Sequence, residues 1–204
     1  MKTIYSRFAK ETIAGLPRVL FEGRIVVIQS EGEAQRAVSF LRTFPRLGLD
    51  TETRPSFRPG AMHSVSLLQV SAPEICFLFR LNAIGLPRCI VELFTDRAVQ
   101  KVGLSLHDDW AQLRRRADFE PCNDLELQHY VTRLGIEDMS LQKLYANLFG
   151  QKISKKQRLS NWEADVLSEA QKRYAATDAW ACLQLYDEIT RLLTTREYAL
   201  VASQ

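Results

Sequence analysis

Apolar and polar positions alternate with two different periods along this 204-residue chain, and the changes of period mark its elements. "RIVVIQS" (24–30) reads as a strand and leads into a helix over about 31–43. "LGLDTET" (47–53) reads as a second strand. "SVSLLQVSA" (64–72) and "EICFLFRL" (74–81) are apolar runs divided by Pro73, which predicts a hairpin. "LPRCIVELFTD" (86–96) reads as a short helix, "QKVGLSL" (100–106) as a further strand, and about Asp108 to Arg116 as a helix. "NDLELQHYVTRLG" starts extended, turns helical and stops at Gly135. In "SLQKLYANLFG", Leu141, Leu144, Tyr145 and Leu148 share one helical stripe, with Gly150 as the C-terminal cap. A last long helix is predicted from Ser168, where "SEAQ" has the form of a capping box, to about Leu193. Strands able to pair antiparallel come first, and strands alternating with helices follow. The pattern predicts an α/β protein with a mixed central sheet.

Composition narrows this only a little. With 46% apolar and 25% charged residues, the chain fits one soluble globular domain with a full core. "TRPSFRPGAMH" (53–63), with two prolines and a glycine, is the clearest irregular segment and reads as a loop beside a site. No run of about 18 apolar residues predicts a membrane helix, and the charged N-terminus lacks the apolar core of a signal peptide, so a cytoplasmic protein without membrane contact is expected. The net charge of +3 permits a nucleic-acid partner without requiring one. Cys76, Cys89, Cys122 and Cys182 are widely spaced with no C-x-x-C pair, which favours reduced, mostly buried thiols over a zinc site or a disulfide framework.

The candidate chemistry lies in the acids. Asp50 and Glu52 stand two apart in a strand, hence on one face, roughly 7 Å apart at their Cα atoms. In "YAATD", Tyr174 and Asp178 are four apart on the last helix, on a stripe continued by Cys182, Leu185 and Ile189. A carboxylate on an apolar stripe is paired, hydrogen-bonded or bound to a cation, and a purely structural Asp178 is one reading. In "KVGLSLHDDWAQL", Asp109 shares a helix face with Leu113, whereas Asp108 suits a cap or an exposed position; both acids could simply complement the helix dipole. His107 and His63 are solitary and read as non-catalytic, with His63 a candidate substrate contact. Together the acids raise a sharper question. Two like charges about 4 Å apart cost about 4 kcal/mol at an effective dielectric near 20. Four converging carboxylates therefore call for hard divalent cations, which favour oxygen ligands.

In order and content, these three segments resemble the three motifs of the DEDD 3′–5′ exonucleases. "LGLDTET" is similar to the first, with Asp50 and Glu52 as its D-x-E. "KVGLSLHDDWAQL" is similar to the second, in the register of Gly103, Asp109 and Leu113. "YAATDAWACLQLY" is similar to the third, with Tyr174 and Asp178 as Y-x-x-x-D. A histidine five residues before Asp178 would mark the sister subclass, but that position is Arg173, which places the chain with the tyrosine subclass. "SLLQVS", "SLQKLYANLFG" and "KKQRLSNWE" are further similar to ribonuclease D and Werner-type exonuclease domains. The likeness covers about residues 22–195, leaving 1–21 as an N-terminal extension and 196–204 as a C-terminal tail.

The resemblance implies an RNase H-like fold and hydrolysis of phosphodiesters at 3′ ends, single-stranded or 3′-recessed, with release of nucleoside 5′-monophosphates. It implies two divalent cations, Mg²⁺ or Mn²⁺, held by Asp50, Glu52, Asp109 and Asp178 about 3.5–4 Å apart. Tyr174 would orient the attacking water. Lys152, Lys155, Lys156 and Arg158, in an acid-free run, read either as a solvated loop or as phosphate contacts. Trp162 reads as core rather than as a base-stacking platform, and "LRRRAD" (113–118) as a solvated helix face. Leu104 would wedge near the terminal base, by family likeness only. Two other accounts fit the same fold: a catalytically silent nucleic-acid-binding module, and a phosphohydrolase of free nucleotides.

Overall fold

A computed structural model describes residues 1–56 and 63–203. Six strands form the central sheet: β2 (Arg24–Ile28), β3 (Arg46–Thr53), β4 (Val65–Ser71), β5 (Ile75–Arg80), β6 (Gln100–Gly103) and β7 (Asp124–Glu126). Their order across the sheet is β2-β5-β4-β3-β6-β7. The predicted hairpin is present: β4 and β5 pair antiparallel, as do β3 and β4. β2 pairs parallel with β5, and β3–β6 and β6–β7 are also parallel, so the sheet is mixed, as expected.

The helices follow local signals. α2 (Glu31–Leu41) opens on a capping box between Ser30 and Glu33, and the long α8 (Glu169–Thr195) on the predicted one between Ser168 and Gln171. α8 ends two residues beyond the predicted Leu193, with Arg196 in the left-handed region. α7 (Leu141–Phe149) is capped by Ser140 and stops at Gly150, whose φ of 64° suits a residue without Cβ. α4 (Arg88–Thr95) lies within the predicted 86–96. β7 leads into α6 (Leu127–Val131) and a 3₁₀ turn that ends at Gly135, as the pattern predicts. The boundaries around α5 differ most, its end falling at Leu113 instead of about Arg116. β6 stops at Gly103, and α5 spans Leu106–Leu113 with Ser105 as its N-cap, not Asp108. Ser105 takes a left-handed φ of 65°, which turns the chain earlier than periodicity indicates. The short helices α1 (Lys10–Ile13) and α3 (Leu81–Ile84) fall outside the predicted elements.

The two faces of the sheet are packed differently. Leu47, Leu49, Leu68, Val70, Phe77 and Phe79 join α2, α4 and α5 in one apolar core. Leu67, Cys76 and Leu78 face α8, which presents Tyr174, Ala175, Ala176 and Ala179. α8 lies almost on the sheet: a Cβ at Gly48 would sit 2.0 Å from the Ala179 carbonyl oxygen. Trp162, fully buried, belongs to this second core, as predicted. At the ends of the chain, β1 (Lys2–Arg7) and β8 (Tyr198–Ser203) pair parallel in a separate two-stranded sheet. All four cysteines are free, and among the described residues no helix is long and apolar enough to cross a membrane.

Candidate active site

Strand alternation puts Gly48, Asp50 and Glu52 on the α8 face of β3 and Leu47, Leu49 and Thr51 on the other. Close approach of α8 at Gly48 lays Asp178 over Asp50 and Glu52. One carboxylate oxygen from each of the three lies within 4.8 Å of the others. Asp109 arrives from the opposite face. It sits in the first turn of α5, and its Oδ1 accepts a 2.5 Å hydrogen bond from the Thr51 hydroxyl. Its charge reaches both Asp50 and Glu52, so the fourth acid adjoins the trio without being part of its tight cluster.

The electrostatics are those of crowded, dehydrated acids. Burial, then the charges of Asp178, Asp109 and Glu52, holds the Asp50 carboxyl well above the usual carboxylate range. Burial and the charges of Asp178 and Asp109 push Glu52 up to about 9, against the pull of the Arg158 guanidinium. Asp109 and Asp178 are each raised to about 7, mainly by burial. The Thr51 hydrogen bond opposes the rise at Asp109; the Tyr174 hydroxyl and the Lys155 charge oppose it at Asp178. Burial, then the charges of Asp178, Glu52 and Asp50, drive the Tyr174 phenol upward, so it stays protonated at neutral pH and acts as a hydrogen-bond donor, not as a base.

The Asp178 Oδ1 atom is buried and has no hydrogen-bond partner. An orphaned anionic oxygen in a trio of carboxylates fits a hard divalent cation, which would supply the missing positive charge and favours all-oxygen donors. Asp50, Glu52 and Asp178 could hold such an ion, with Asp109 beside it.

Asp50, Glu52 and Asp178, but not Asp109, line a cleft of about 420 Å³. Of the predicted substrate contacts, Leu104, Lys155 and Arg158 line it. Lys156 is exposed on the same loop but is not among the lining residues. Lys152 points elsewhere and donates to the Ala14 carbonyl oxygen. His63 lies 3.4 Å from the Glu163 carboxylate, which also accepts from Arg54 at 3.1 Å. His107 and Asp108 are exposed and pair with each other. Sequence reasoning missed Thr51, Ser105 and Met139. Thr51 carried a signal: it is a hydroxyl on the otherwise leucine face of its strand.

The 3′–5′ exonuclease family model matches residues 25–194. An Arabidopsis thaliana 3′–5′ exonuclease is 30% identical over 205 residues, covering 90% of this chain and 70% of its own length. The mouse bifunctional 3′–5′ exonuclease/ATP-dependent helicase WRN is 30% identical over 164 residues, covering 74% of this chain. The chain spans only 11% of that protein's length. The Nibbler EXO domain of Aedes aegypti superposes with a TM-score of 0.77 at 22% identity, covering 87% of this chain and 92% of the domain, which bears out the expected RNase H-like architecture. Since the family match runs from β2 nearly to the end of α8 and takes in every element framing the acidic cleft, this chain belongs to the 3′–5′ exonuclease family.

Proposed function

We propose that the chain removes nucleotides from 3′ ends of single-stranded or 3′-recessed nucleic acid, releasing nucleoside 5′-monophosphates, with Asp50, Glu52, Asp109, Asp178 and Tyr174 as the residues that carry the reaction. The observation that carries this reading is the trio of carboxylates within 4.8 Å, one with a buried, unpartnered oxygen, in a cleft also lined by Lys155 and Arg158.

Each side chain has a distinct task. Asp50, Glu52 and Asp178 would hold divalent cations, Mg²⁺ or Mn²⁺, and Asp109 would hold the neighbouring position. When bound there, such cations would supply acidification of a coordinated water and positive charge beside the leaving 3′-oxygen. Tyr174 stays protonated and orients the attacking water through its hydroxyl. Lys155 and Arg158 draw the phosphate backbone into the cleft and offset its charge next to the acids. Leu104 lies against the terminal base.

A 5′-labelled single strand and a 3′-recessed duplex, each incubated with Mn²⁺, test this directly. A descending ladder of products is expected. Binding without cleavage would instead indicate a silent module, and cleavage confined to free nucleotides a phosphohydrolase; either result defeats the proposal.

A further inference from the structure

Glu126 is not part of the acidic cluster, yet it organises one side of it. Its Oε1 accepts the backbone N–H of Ser105 at 3.0 Å, and its Oε2 that of Leu106 at 2.7 Å. Oε1 also accepts the N–H of Gln128 at 3.0 Å, capping Glu126's own helix. A single carboxylate thus binds backbone N–H groups at the starts of α5 and α6. The Ser105 side chain makes no cap bond to α5, and Ser105 holds a left-handed φ of 65°, a conformation that costs a non-glycine residue energy unless its surroundings enforce it. Glu126 provides that enforcement. Asp109 lies in the turn that begins at Ser105, its N–H donating to the Ser105 carbonyl oxygen at 3.3 Å.

Gln128 extends the network to a second segment that lines the cleft. Its Nε2 donates to the Ser105 hydroxyl at 3.1 Å and to the Met139 carbonyl oxygen at 2.9 Å. Leu104, Ser105 and Met139, the last 45% exposed, all line the cleft. The amide therefore ties the residue after Leu104 to the backbone of Met139, and so couples two chain segments that line the cleft.

We infer that Glu126 and Gln128 are positioning residues for this exonuclease site, Glu126 setting the place of Asp109 and Gln128 setting the spacing of Leu104 and Met139 around the terminal base. The inference rests on the exonuclease reading above. Glu126→Gln preserves size but turns one acceptor into an amide that opposes an N–H. It is expected to lower kcat and to raise the Mn²⁺ concentration for half-maximal activity, each by about tenfold or more, the usual range for groups that orient metal ligands. KM should change little. Gln128→Ala, which leaves the acids alone, should raise KM with kcat nearly unchanged. Thermal denaturation gives the folded fraction of each variant.

Parental kcat, KM and Mn²⁺ dependence in both variants would overturn the inference while leaving the exonuclease reading intact. So would losses that merely track the folded fraction. If the parent cleaves no 3′ end, titration of Mn²⁺ by electron paramagnetic resonance still decides the Glu126 claim: weaker binding to the Glu126→Gln protein sustains it, and equal binding or none to either overturns it.

Discussion

The two faces of β3 make a controlled comparison, because they share one backbone and one set of neighbouring strands. On one face, Leu47 and Leu49 are fully buried in a dry core with α2, α4 and α5. On the other, starting one residue along, Asp50 and Glu52 are packed beneath α8 with Asp178. The leucine face contributes stability through apolar burial. The acidic face does the reverse: each carboxylate is dehydrated beside others of like charge. The strand is held by one side and equipped by the other, so the site can carry a charge density that would not fold alone.

Opposite substitutions on the two faces should separate these roles most strongly. Leu49→Ala is expected to cost about 2–5 kcal/mol of stability, with activity lost only through unfolding. Asp50→Asn should lower kcat on the order of 10³-fold or more, as loss of a central catalytic group does, while the metal-free protein melts no lower than the parent. Paired denaturation and cleavage assays check both. If Asp50→Asn unfolds the chain, or Leu49→Ala leaves stability unchanged, the division between the faces fails.

A pH series sharpens the comparison. Glu52 is raised to about 9 and Asp109 and Asp178 to about 7 in the folded chain, each from an ordinary value near 4. The folded state therefore holds protons that the unfolded state releases. The stability linked to these protons is fully present below about pH 4 and is lost as pH rises through 7 to 9. After chelation, the melting temperature should fall from pH 5 to pH 9. Saturating Mn²⁺ should flatten or invert that slope, because the cation replaces the protons. Glu52→Gln with Asp178→Asn should flatten it without metal. A metal-free slope of the opposite sign would contradict the electrostatics of the acidic face.

The smallest expected effect lies at the rim. Arg158→Ala and Lys155→Ala should raise KM for a single strand and leave kcat close to that of the parent. Each should reduce the slope of log affinity against log salt by about 0.7, if each neutralises one phosphate. An unchanged slope would make the loop a solvated surface.

Much of this is legible along the chain itself. Alternation, capping and turn chemistry act over a few residues. The Ser168 capping box, the Gly150 stop, the hairpin at Pro73 and the shared face of Asp50 and Glu52 could be read along the chain. The convergence of the acids could not be read from alternation alone, and entered only through the likeness of three spaced motifs. The boundary at Ser105 escaped because its left-handed turn is enforced by Glu126, a residue 21 positions away. β1 and β8 escaped because their pairing joins the two ends of the chain.

By itself, the sequence determined which side chains share a face, since a strand's period of two and a helix's of 3.6 are properties of the local backbone. Only the tertiary structure decided how near those faces come. The missing Cβ at Gly48 lets α8 settle onto β3 and brings Asp178 down onto Asp50 and Glu52, while Thr51 draws Asp109 in from the opposite layer. Distances between elements come from packing, and packing is a property of the whole chain at once.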